Sequence, residues 1–398
     1  MKVLLISHIF PPAVDGGSRI VWKIGEYLQK NGHQVSALTT NCQSTDDFVT
    51  PSSKTLPKTD LINHIPITRL PVYKRLNKPL KALILVTPVF PALYNFLKLL
   101  KKGPIFKIIP LILFLRQLKT QKPDLIIAGP LPTTIIYLST HLLRYSSKLL
   151  SVPCFHPQDS DFQNPLLLSA LANSDHIFCF TQTEKDILAT KSIEPKKIFT
   201  QFPGLDPDFI LPLKNISFPK NPNLLFVGNF SAHKRVELLI DAFIKLKNKY
   251  PKLSLTLLGQ KTLYWPQIRT KIDKLSSSDI KIIINPTKPQ IKKAYDQSTL
   301  LCLPSVHESF GLVFIESLAR GKPVVGADTP QTHEVISTLN GGLTFKTDNL
   351  NDLTTKTDTL LSNPKLAQKL GATGHQYVSS HLTWDKIILS LEKQINEI

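Results

Sequence analysis

Residues 300–323 read LLCLPSVHESFGLVFIESLARGKP and predict a strand, a short loop and a helix in direct succession. The apolar run Leu300–Leu303 has the length and composition of a buried strand, and residues 312–320 have those of an apolar helix. Gly321 fits the position just after that helix. Ligands of open parallel sheets bind outside the carboxyl ends of the strands, so the intervening loop 304–311 is a candidate binding loop.

The same alternation of strands and helices continues through most of the 398 residues. It predicts an α/β protein with doubly wound parallel sheets that carry helices on both faces. The strands fall into two series separated by a turn-rich junction at 202–208, so we predict Rossmann-like domains at residues 1–205 and 206–380. The predicted strands are 3–7, 35–39, 125–128, 149–155 and 176–180 in the first domain, and 224–228, 255–259, 280–284, 300–304 and 323–326 in the second.

The composition indicates an anionic partner and a reducing compartment. Forty-eight Lys and Arg residues against 29 Asp and Glu give a formal net charge of +19, which suits nucleic acid, a phosphorylated substrate or an anionic membrane. The four cysteines, Cys42, Cys154, Cys179 and Cys302, lack zinc-site spacing and are expected to be buried thiols. The N-terminal apolar run is too short for a secretion signal, so we expect a cytoplasmic protein.

The basic residues concentrate in one part of the first domain. Between positions 61 and 123 there are twelve Lys and Arg, from Arg69 to Lys122, and no Asp or Glu. Apolar blocks at 83–100 and 105–118 lie among them, a composition typical of a segment on an anionic bilayer. A basic solvated face over ordinary core helices is the alternative. Nucleic acid is disfavoured because aromatic residues do not alternate with Arg here, and the apolar stretch 82–97 is too short and broken to span a bilayer.

The candidate loop carries groups suited to a phosphate and to hydroxyl groups. Gly311 lets backbone approach a ligand closely, and the helix that follows offers free N–H groups to phosphate. Glu308 lies in the loop, whereas Glu316 lies in an apolar helix where its carboxylate needs a partner. Ligand hydroxyls would supply one. A capping glutamate and a structural ion pair would explain the same spacing.

Glu308 and Glu316, with seven residues between them, resemble the E-x7-E signature of the retaining glycosyltransferases of family four, which have the GT-B fold. The resemblance implies two Rossmann-like domains that face a central cleft, and a terminal helix, 381–398, that packs back on the first domain. Four further stretches resemble family motifs in the same order: the glycine loop at 10–18, the "GHxV" strand entry at 31–35, the "VGR…K" phosphate motif at 226–235 and the start of the last helix at 381–384.

The resemblance implies a role for each candidate residue. Glu308 would bind hydroxyls of the donor sugar, Glu316 the nucleotide ribose, and His156 the donor sugar again. Lys234, just after a strand end, would stabilise the diphosphate leaving group. From the residues alone, Lys234 could also be a surface lysine and His156 a packed strand-end residue. The implied catalytic residues are His156, Glu308 and Lys234, and the implied donor-binding residues are Gly16, Gly17, Gly228, Lys234, Arg235, Ser309, Phe310, Gly311, Leu312 and Glu316.

Some positions depart from the family pattern. The arginine expected after "VG" is Asn229, and Arg235, where glycine is common, could replace its charge. Only Gly259 remains of an expected glycine pair. Asp159 and Asp161 resemble the DxD metal motif of the other large glycosyltransferase fold, but the remaining motifs are of the metal-free type, so we expect neither metal nor cofactor.

The resemblance thus implies a retaining glycosyltransferase. It would move a sugar from a nucleotide-diphosphate sugar to an acceptor, a lipid-linked or cell-surface glycan precursor, at the cytoplasmic face of an anionic membrane. Two alternatives stay open: a nucleotide-sugar epimerase of the same fold, and a non-catalytic protein that binds membranes or polyanions. No nucleic-acid partner is expected.

Overall fold

The computed structural model describes residues 1–13, 15–44, 47, 55–72, 90–102, 108–144, 147–157, 159–275 and 278–396. The chain divides into two compact units, one of Met1–Phe202 with Ile388–Ile398 and the other of Pro203–Ile387. In the part of the chain that is described, each unit is built on one sheet. Both central strands, which read as continuous apolar runs, are almost fully buried, as expected when helices cover both faces.

The first unit contains, within its described residues, an eight-stranded sheet in the order β3-β4-β2-β1-β5-β6-β7-β8. All neighbouring strands are parallel except β3 and β4, which form an antiparallel hairpin at the edge. Its strands are β1 (Lys2–Ile6), β2 (Gln34–Thr40), β3 (Thr59–Ile62), β4 (Ile65–Leu70), β5 (Leu125–Ala128), β6 (Lys148–Ser151), β7 (His176–Cys179) and β8 (Ile198–Thr200).

Helices of the first unit follow the strands and pack on the sheet. The first, α1, places apolar residues three and four positions apart toward β1, and it approaches so closely that a Cβ at Gly25 would lie 2.1 Å from Leu5. The helices are α1 (Gly16–Lys30), α2 (Pro91–Lys102), α3 (Ile108–Gln121), α4 (Ile135–Leu138, continued by a π turn at Ser139–Leu143), α5 (Pro165–Ala172) and α6 (Gln182–Ala189).

The second unit contains, in the residues described, a six-stranded parallel sheet in the order β11-β10-β9-β12-β13-β14. This is the strand order of a Rossmann sheet, with the direction of winding reversed between β9 and β12. Its strands are β9 (Asn223–Val227), β10 (Ser254–Gly259), β11 (Ile280–Ile284), β12 (Leu300–Leu303), β13 (Val324–Ala327) and β14 (Gly342–Phe345).

The remaining helices surround this second sheet or close the chain. In the last helix, Glu392 accepts a hydrogen bond from Asn31 and pairs with His33 at 2.9 Å, so the C-terminal residues are part of the first unit. The helices are α7 (Val236–Lys249), α8 (Trp265–Asp273), α9 (Lys288–Gln297), α10 (Leu312–Ala319), α11 (Pro330–Leu339), α12 (Leu350–Ser362), α13 (Pro364–His381) and α14 (Trp384–Asn396).

The predicted doubly wound architecture is confirmed; the bounds of the predicted strands are correct to within one residue, except for one strand that was predicted four residues too long. The strand expected at 149–155 ends at Ser151, because Pro153 has no N–H to pair with a neighbouring strand and Cys154 has a left-handed backbone with φ of +49°. The residues beyond Ser151 therefore form a loop. Strands β3, β4, β8 and β14 were not predicted.

Candidate functional site

The carboxyl ends of β9 and β12 define a candidate binding site in the second unit. These strands are neighbours, and the chain winds outward from them in opposite directions, which is where open α/β sheets bind ligands. The loop after β9 and the loop after β12 are joined by a hydrogen bond from the Val306 N–H to the His233 carbonyl, at 2.9 Å. The motifs predicted at 226–235 and 304–316 are thus brought together.

Lys234 and Glu308 form an ion pair that links these two loops. Lys234 lies in a 3₁₀ turn, Ala232–Lys234, just before α7, and its Nζ donates to Glu308 Oε1. The side chains are 17% and 10% exposed, so the pair is largely withdrawn from solvent but open to a ligand. Lys234 passes over Gly228, where an added Cβ would lie 3.9 Å from Lys234 Cδ.

Gly311 begins the helix that points its N-terminus toward this edge of the sheet. Its φ is +79°, and an added Cβ would lie 2.7 Å from the Phe314 ring, so both conformation and space require glycine. Because α10 starts at Leu312, its first N–H groups are available to an anion at the carboxyl end of β12. Ser309 and Phe310 complete the loop, and Phe310 is buried.

Glu316 lies deeper than Glu308. It is 3% exposed on α10, and its Oε2 accepts a hydrogen bond of 3.1 Å from the Tyr295 hydroxyl of α9. The Glu316 carboxylate therefore has a hydrogen-bond partner within the protein. Nothing in the sequence marked Tyr295, because the pairing depends on how α9 packs against α10.

The structure shows where the Arg235 side chain points. Its Nε donates to Asp348 Oδ1 at 2.8 Å, on an exposed part of the surface. Its backbone is left-handed, with φ of +50°, which explains why glycine suits this position at the start of α7.

In the first unit, Gly16 and Gly17 open α1 after the loop that follows β1. Asp15 caps this helix by accepting from the Ser18 N–H at 2.8 Å, and its other oxygen pairs with His8 Nε2 at 2.5 Å. Burial would raise the pKa of Asp15, but the charge and hydrogen bond of His8, with the bonds from Ser18, lower it to about 2. The sequence did not predict this pair.

Gly17 packs against the loops that follow β5 and β6. An added Cβ would lie 2.7 Å from Pro130 and 3.2 Å from the Cys154 sulfur, so a side chain here would push these loops away. His156 lies two residues beyond Cys154, and its ring meets the edge of Phe162 with centroids 5.0 Å apart. Gly16, Gly17 and His156 thus belong to the first unit and the other predicted site residues to the second.

Sequence comparisons agree with this geometry. The family profile described as "Glycosyltransferase Family 4" matches residues 14–209, and that described as "Glycosyl transferases group 1" matches residues 212–377. The chain belongs to glycosyltransferase family 4. Solved structures share the whole fold: Anabaena HepE, in complex with UDP and glucose, superposes with a TM-score of 0.72 over 100% of both chains at 14% identity.

Further known proteins are similar to this chain. An uncharacterized glycosyltransferase of Methanocaldococcus jannaschii is 27% identical over 229 residues, which are 58% of this chain and 61% of that protein. The match spans 54% of the next two curated relatives. WaaG, a glycosyltransferase involved in lipopolysaccharide biosynthesis, has a TM-score of 0.68 over 98% of both chains at 14% identity. These likenesses confirm the GT-B fold expected from the motifs.

The DxD-like pair has a local structural role in this family-four chain. Asp159 caps the 3₁₀ turn Ser160–Gln163 by accepting from the Asp161 N–H at 2.9 Å. Across the described residues, no group of three or more His, Cys, Asp or Glu side chains is arranged to hold a metal ion. The four cysteines are buried free thiols, as predicted.

Helices α2 and α3 are the described helices of the basic stretch, and both expose apolar side chains. On α3, Ile109, Ile112 and Leu113 are 73%, 45% and 58% exposed; we call these three residues the α3 apolar face. Arg116 and Lys119 are exposed farther along the same helix, while Phe114 and Leu118 pack inward. One end of α3 is thus apolar and exposed, and the other is basic.

Arg69 was wrongly grouped with the surface cations. Its side chain is buried, pairs with Asp60 at 3.0 Å and donates to the Pro11 carbonyl at 2.7 Å, because β4 lies inside the sheet between β2 and the edge strand. Part of the stretch, including residues 82–89, lies outside the described residues. Among the helices that are described, none combines the length and the apolar character needed to cross a membrane.

Proposed function

We propose that this protein is a retaining glycosyltransferase that moves a sugar from a nucleotide-diphosphate sugar to a lipid-linked or cell-surface glycan precursor. The observation that carries the proposal is the Lys234–Glu308 ion pair, which joins two loops at the point where a Rossmann sheet binds nucleotides. A cation and a carboxylate held side by side suit a ligand that has a diphosphate next to a sugar.

The residues present can divide the work of the transfer between them. When the diphosphate binds, Lys234 shifts from Glu308 to the phosphate oxygens, and the N–H groups at the start of α10 share that charge. Glu308, released from the ion pair, accepts hydrogen bonds from sugar hydroxyls. Glu316 binds the nucleotide ribose, and His156 contacts the donor sugar.

Retention follows if the acceptor attacks the face that the leaving group vacates. The bond between the anomeric carbon and the phosphate oxygen breaks, and its electron pair leaves with the phosphate. The acceptor oxygen forms the new bond on the same face and gives its proton to the departing phosphate oxygen. Lys234 and the α10 N-terminus stabilise the charge that develops there, so no covalent enzyme intermediate is required.

The solved relatives suggest which substrates to test first. HepE was crystallised with UDP and with UDP-glucose, so uridine diphosphate sugars are the first donors for this chain. WaaG acts in lipopolysaccharide biosynthesis, which favours a lipid-linked envelope glycan as acceptor. A thermal-shift screen with UDP-, ADP- and GDP-sugars tests the donor, because a ligand that binds only the folded state raises the Tm. No shift with any donor would contradict the proposal.

Replacing Glu316 by Ala should weaken nucleotide binding by about 1–3 kcal/mol, the cost of losing a charged hydrogen bond to the ribose. Calorimetry with the free nucleotide measures this loss. Tyr295→Phe is the matched control, because it breaks the internal bond to Glu316 without removing the carboxylate. Equal affinity for the two variants would show that Glu316 acts only within the protein.

We also propose that transfer needs no metal ion, since Lys234 and a helix N-terminus supply the positive charge. Incubation with EDTA should leave the initial rate of transfer unchanged. A rate that EDTA abolishes and Mn²⁺ restores would refute this proposal, and Asp159 and Asp161 would be the first metal ligands to test.

The acceptor side of the proposal includes docking to the anionic cytoplasmic surface of a membrane. The α3 apolar face can enter the headgroup region while Arg116 and Lys119 meet anionic lipid, each cation contributing about 1 kcal/mol. A soluble polyanion would meet the cations but would not bury the isoleucines. The exposed apolar side chains therefore favour a bilayer.

Vesicle flotation tests this docking. The protein should float with anionic vesicles at low salt, remain behind with neutral ones, and dissociate as salt rises. Changing the α3 apolar face to three serines should reduce binding, whereas the control triple variant Leu213→Ser, Leu263→Ser and Leu389→Ser, at sites 60%, 88% and 63% exposed, should not. Equal flotation with neutral and anionic vesicles would refute electrostatic docking.

A further inference from the structure

A fully buried carboxylate in the first unit ties the loop that carries His156 to its neighbour. Glu184, on α6, is 0% exposed. Its Oε1 accepts from the Phe155 N–H at 2.7 Å, and its Oε2 accepts from the Phe180 N–H at 2.9 Å. One side chain thus fixes the backbone after β6 and the backbone after β7.

The burial of the Glu184 carboxylate costs free energy, and this cost calls for an explanation. Burying a carboxylate is unfavourable unless its charge is compensated, and here backbone N–H groups provide compensation. Burial first, and then the charge of Glu184, raise the pKa of the Cys154 and Cys179 thiols. Thr181 already caps α6 by accepting from the Glu184 N–H at 3.0 Å, so Glu184 is not needed as the cap.

The bond to Phe155 bears directly on His156, the next residue. Phe155 and His156 both pack against Phe162, with ring centroids 5.7 Å and 5.0 Å away. The preceding Cys154 has a left-handed backbone and would not hold this turn unaided. Fixing the Phe155 N–H therefore fixes the direction in which the His156 imidazole leaves the chain.

We propose that Glu184 is a positioning residue, which holds the His156 imidazole in the orientation that sugar transfer requires. The inference rests on the proposed function, in which His156 serves the donor sugar. Glu184 itself touches no substrate in this account and acts through the Phe155 backbone.

The test compares Glu184→Gln with Asp175→Asn. Asp175 is a matched control, because its carboxylate accepts from the Leu149 N–H at 2.7 Å, at the opposite end of the same strand β6. Glu184→Gln should lower kcat by about tenfold to a hundredfold, the effect of a misplaced group, without changing nucleotide affinity. Asp175→Asn, once folded, should have the same kcat as the wild type. Glu184→Asp replaces Glu184→Gln if the latter does not fold.

A double-mutant cycle with His156→Ala decides how Glu184 acts. If it acts through His156, Glu184→Gln should cause no further loss of kcat in the His156→Ala background. If Glu184→Gln lowered kcat by its full factor in the His156→Ala background as well, the proposal would be overturned. It would also be overturned if Glu184→Gln alone had the same kcat as Asp175→Asn.

NMR of histidine-labelled protein separates this inference from the proposed function. The His156 ring signal, identified by its disappearance in His156→Ala, should move in Glu184→Gln and stay in place in Asp175→Asn. If the signal moves as expected but the wild type transfers no sugar, Glu184 does position the His156 ring and the proposed function fails. An unmoved signal overturns the inference whatever the activity.

Discussion

Replacing Lys234 by Met is expected to lower kcat by about 10²–10³-fold, the typical cost of removing one group that stabilises developing negative charge. The substitution keeps the length and apolar stem of the side chain but removes the ammonium from the junction between the β9 and β12 loops. It also leaves Glu308 without the Nζ that now donates to it. Initial rates of transfer at saturating donor measure the effect.

Lys249→Met is the matched control for this experiment. Lys249 lies on α7, the helix that Lys234 precedes, and pairs with Asp358 at 2.7 Å, but its side chain is 58% exposed. An exposed pair of this kind contributes little, so both stability and kcat should stay near wild type. If Lys234→Met kept the same kcat as Lys249→Met, Lys234 would not be the group that stabilises the leaving diphosphate.

Replacing Gly259 by Ala is expected to lower the free energy of unfolding by about 3 kcal/mol, at the upper end of the range for overpacking. A Cβ at this position would lie 1.8 Å from the carbonyl oxygen of Gly228, which is backbone and cannot rotate away. The same two strands are joined by the Gly228 N–H, which donates to the Leu258 carbonyl at 3.0 Å. Urea denaturation, followed by circular dichroism, measures the loss.

Gly16→Ala is the control for stability, because an added Cβ there meets nothing within 4 Å. At such a position, alanine should stabilise by about 0.4–1 kcal/mol by restricting the unfolded chain. Similar unfolding midpoints for Gly259→Ala and Gly16→Ala would mean that the β9 and β10 loops are not packed as closely as described.

Most strands could be predicted from the sequence, whereas β3, β4, β8 and β14 could not. β5 and β11 match their predicted bounds, because short apolar runs between turn formers identify strands. The edge hairpin of β3 and β4 is half-exposed and contains Pro66, so its apolar pattern is weak. The feature of the sequence that could have indicated this hairpin is the turn Asn63-His64. Its two positive φ angles are those of a two-residue hairpin loop.

The candidate site shows the same division between local and long-range information. Glu308, Gly311 and Lys234 were predicted from motifs, because loops at strand ends and helix starts are marked locally. The partners were not: Lys234 and Glu308 are 74 positions apart, and Tyr295 lies 21 positions from Glu316. Such pairs depend on how strands and helices pack, and a single sequence does not encode that packing in any short pattern.

Release of nucleoside diphosphate from a nucleotide sugar tests the central claim most directly. Wild type and Lys234→Met would each be incubated with UDP-, ADP- and GDP-sugars, with and without lipid-linked glycan in anionic vesicles, and the released diphosphate quantified by chromatography. We predict release by the wild type from one class of donor, stimulated by the acceptor and nearly lost in Lys234→Met. No release by the folded wild type under any of these conditions, or equal release by both proteins, would contradict the account.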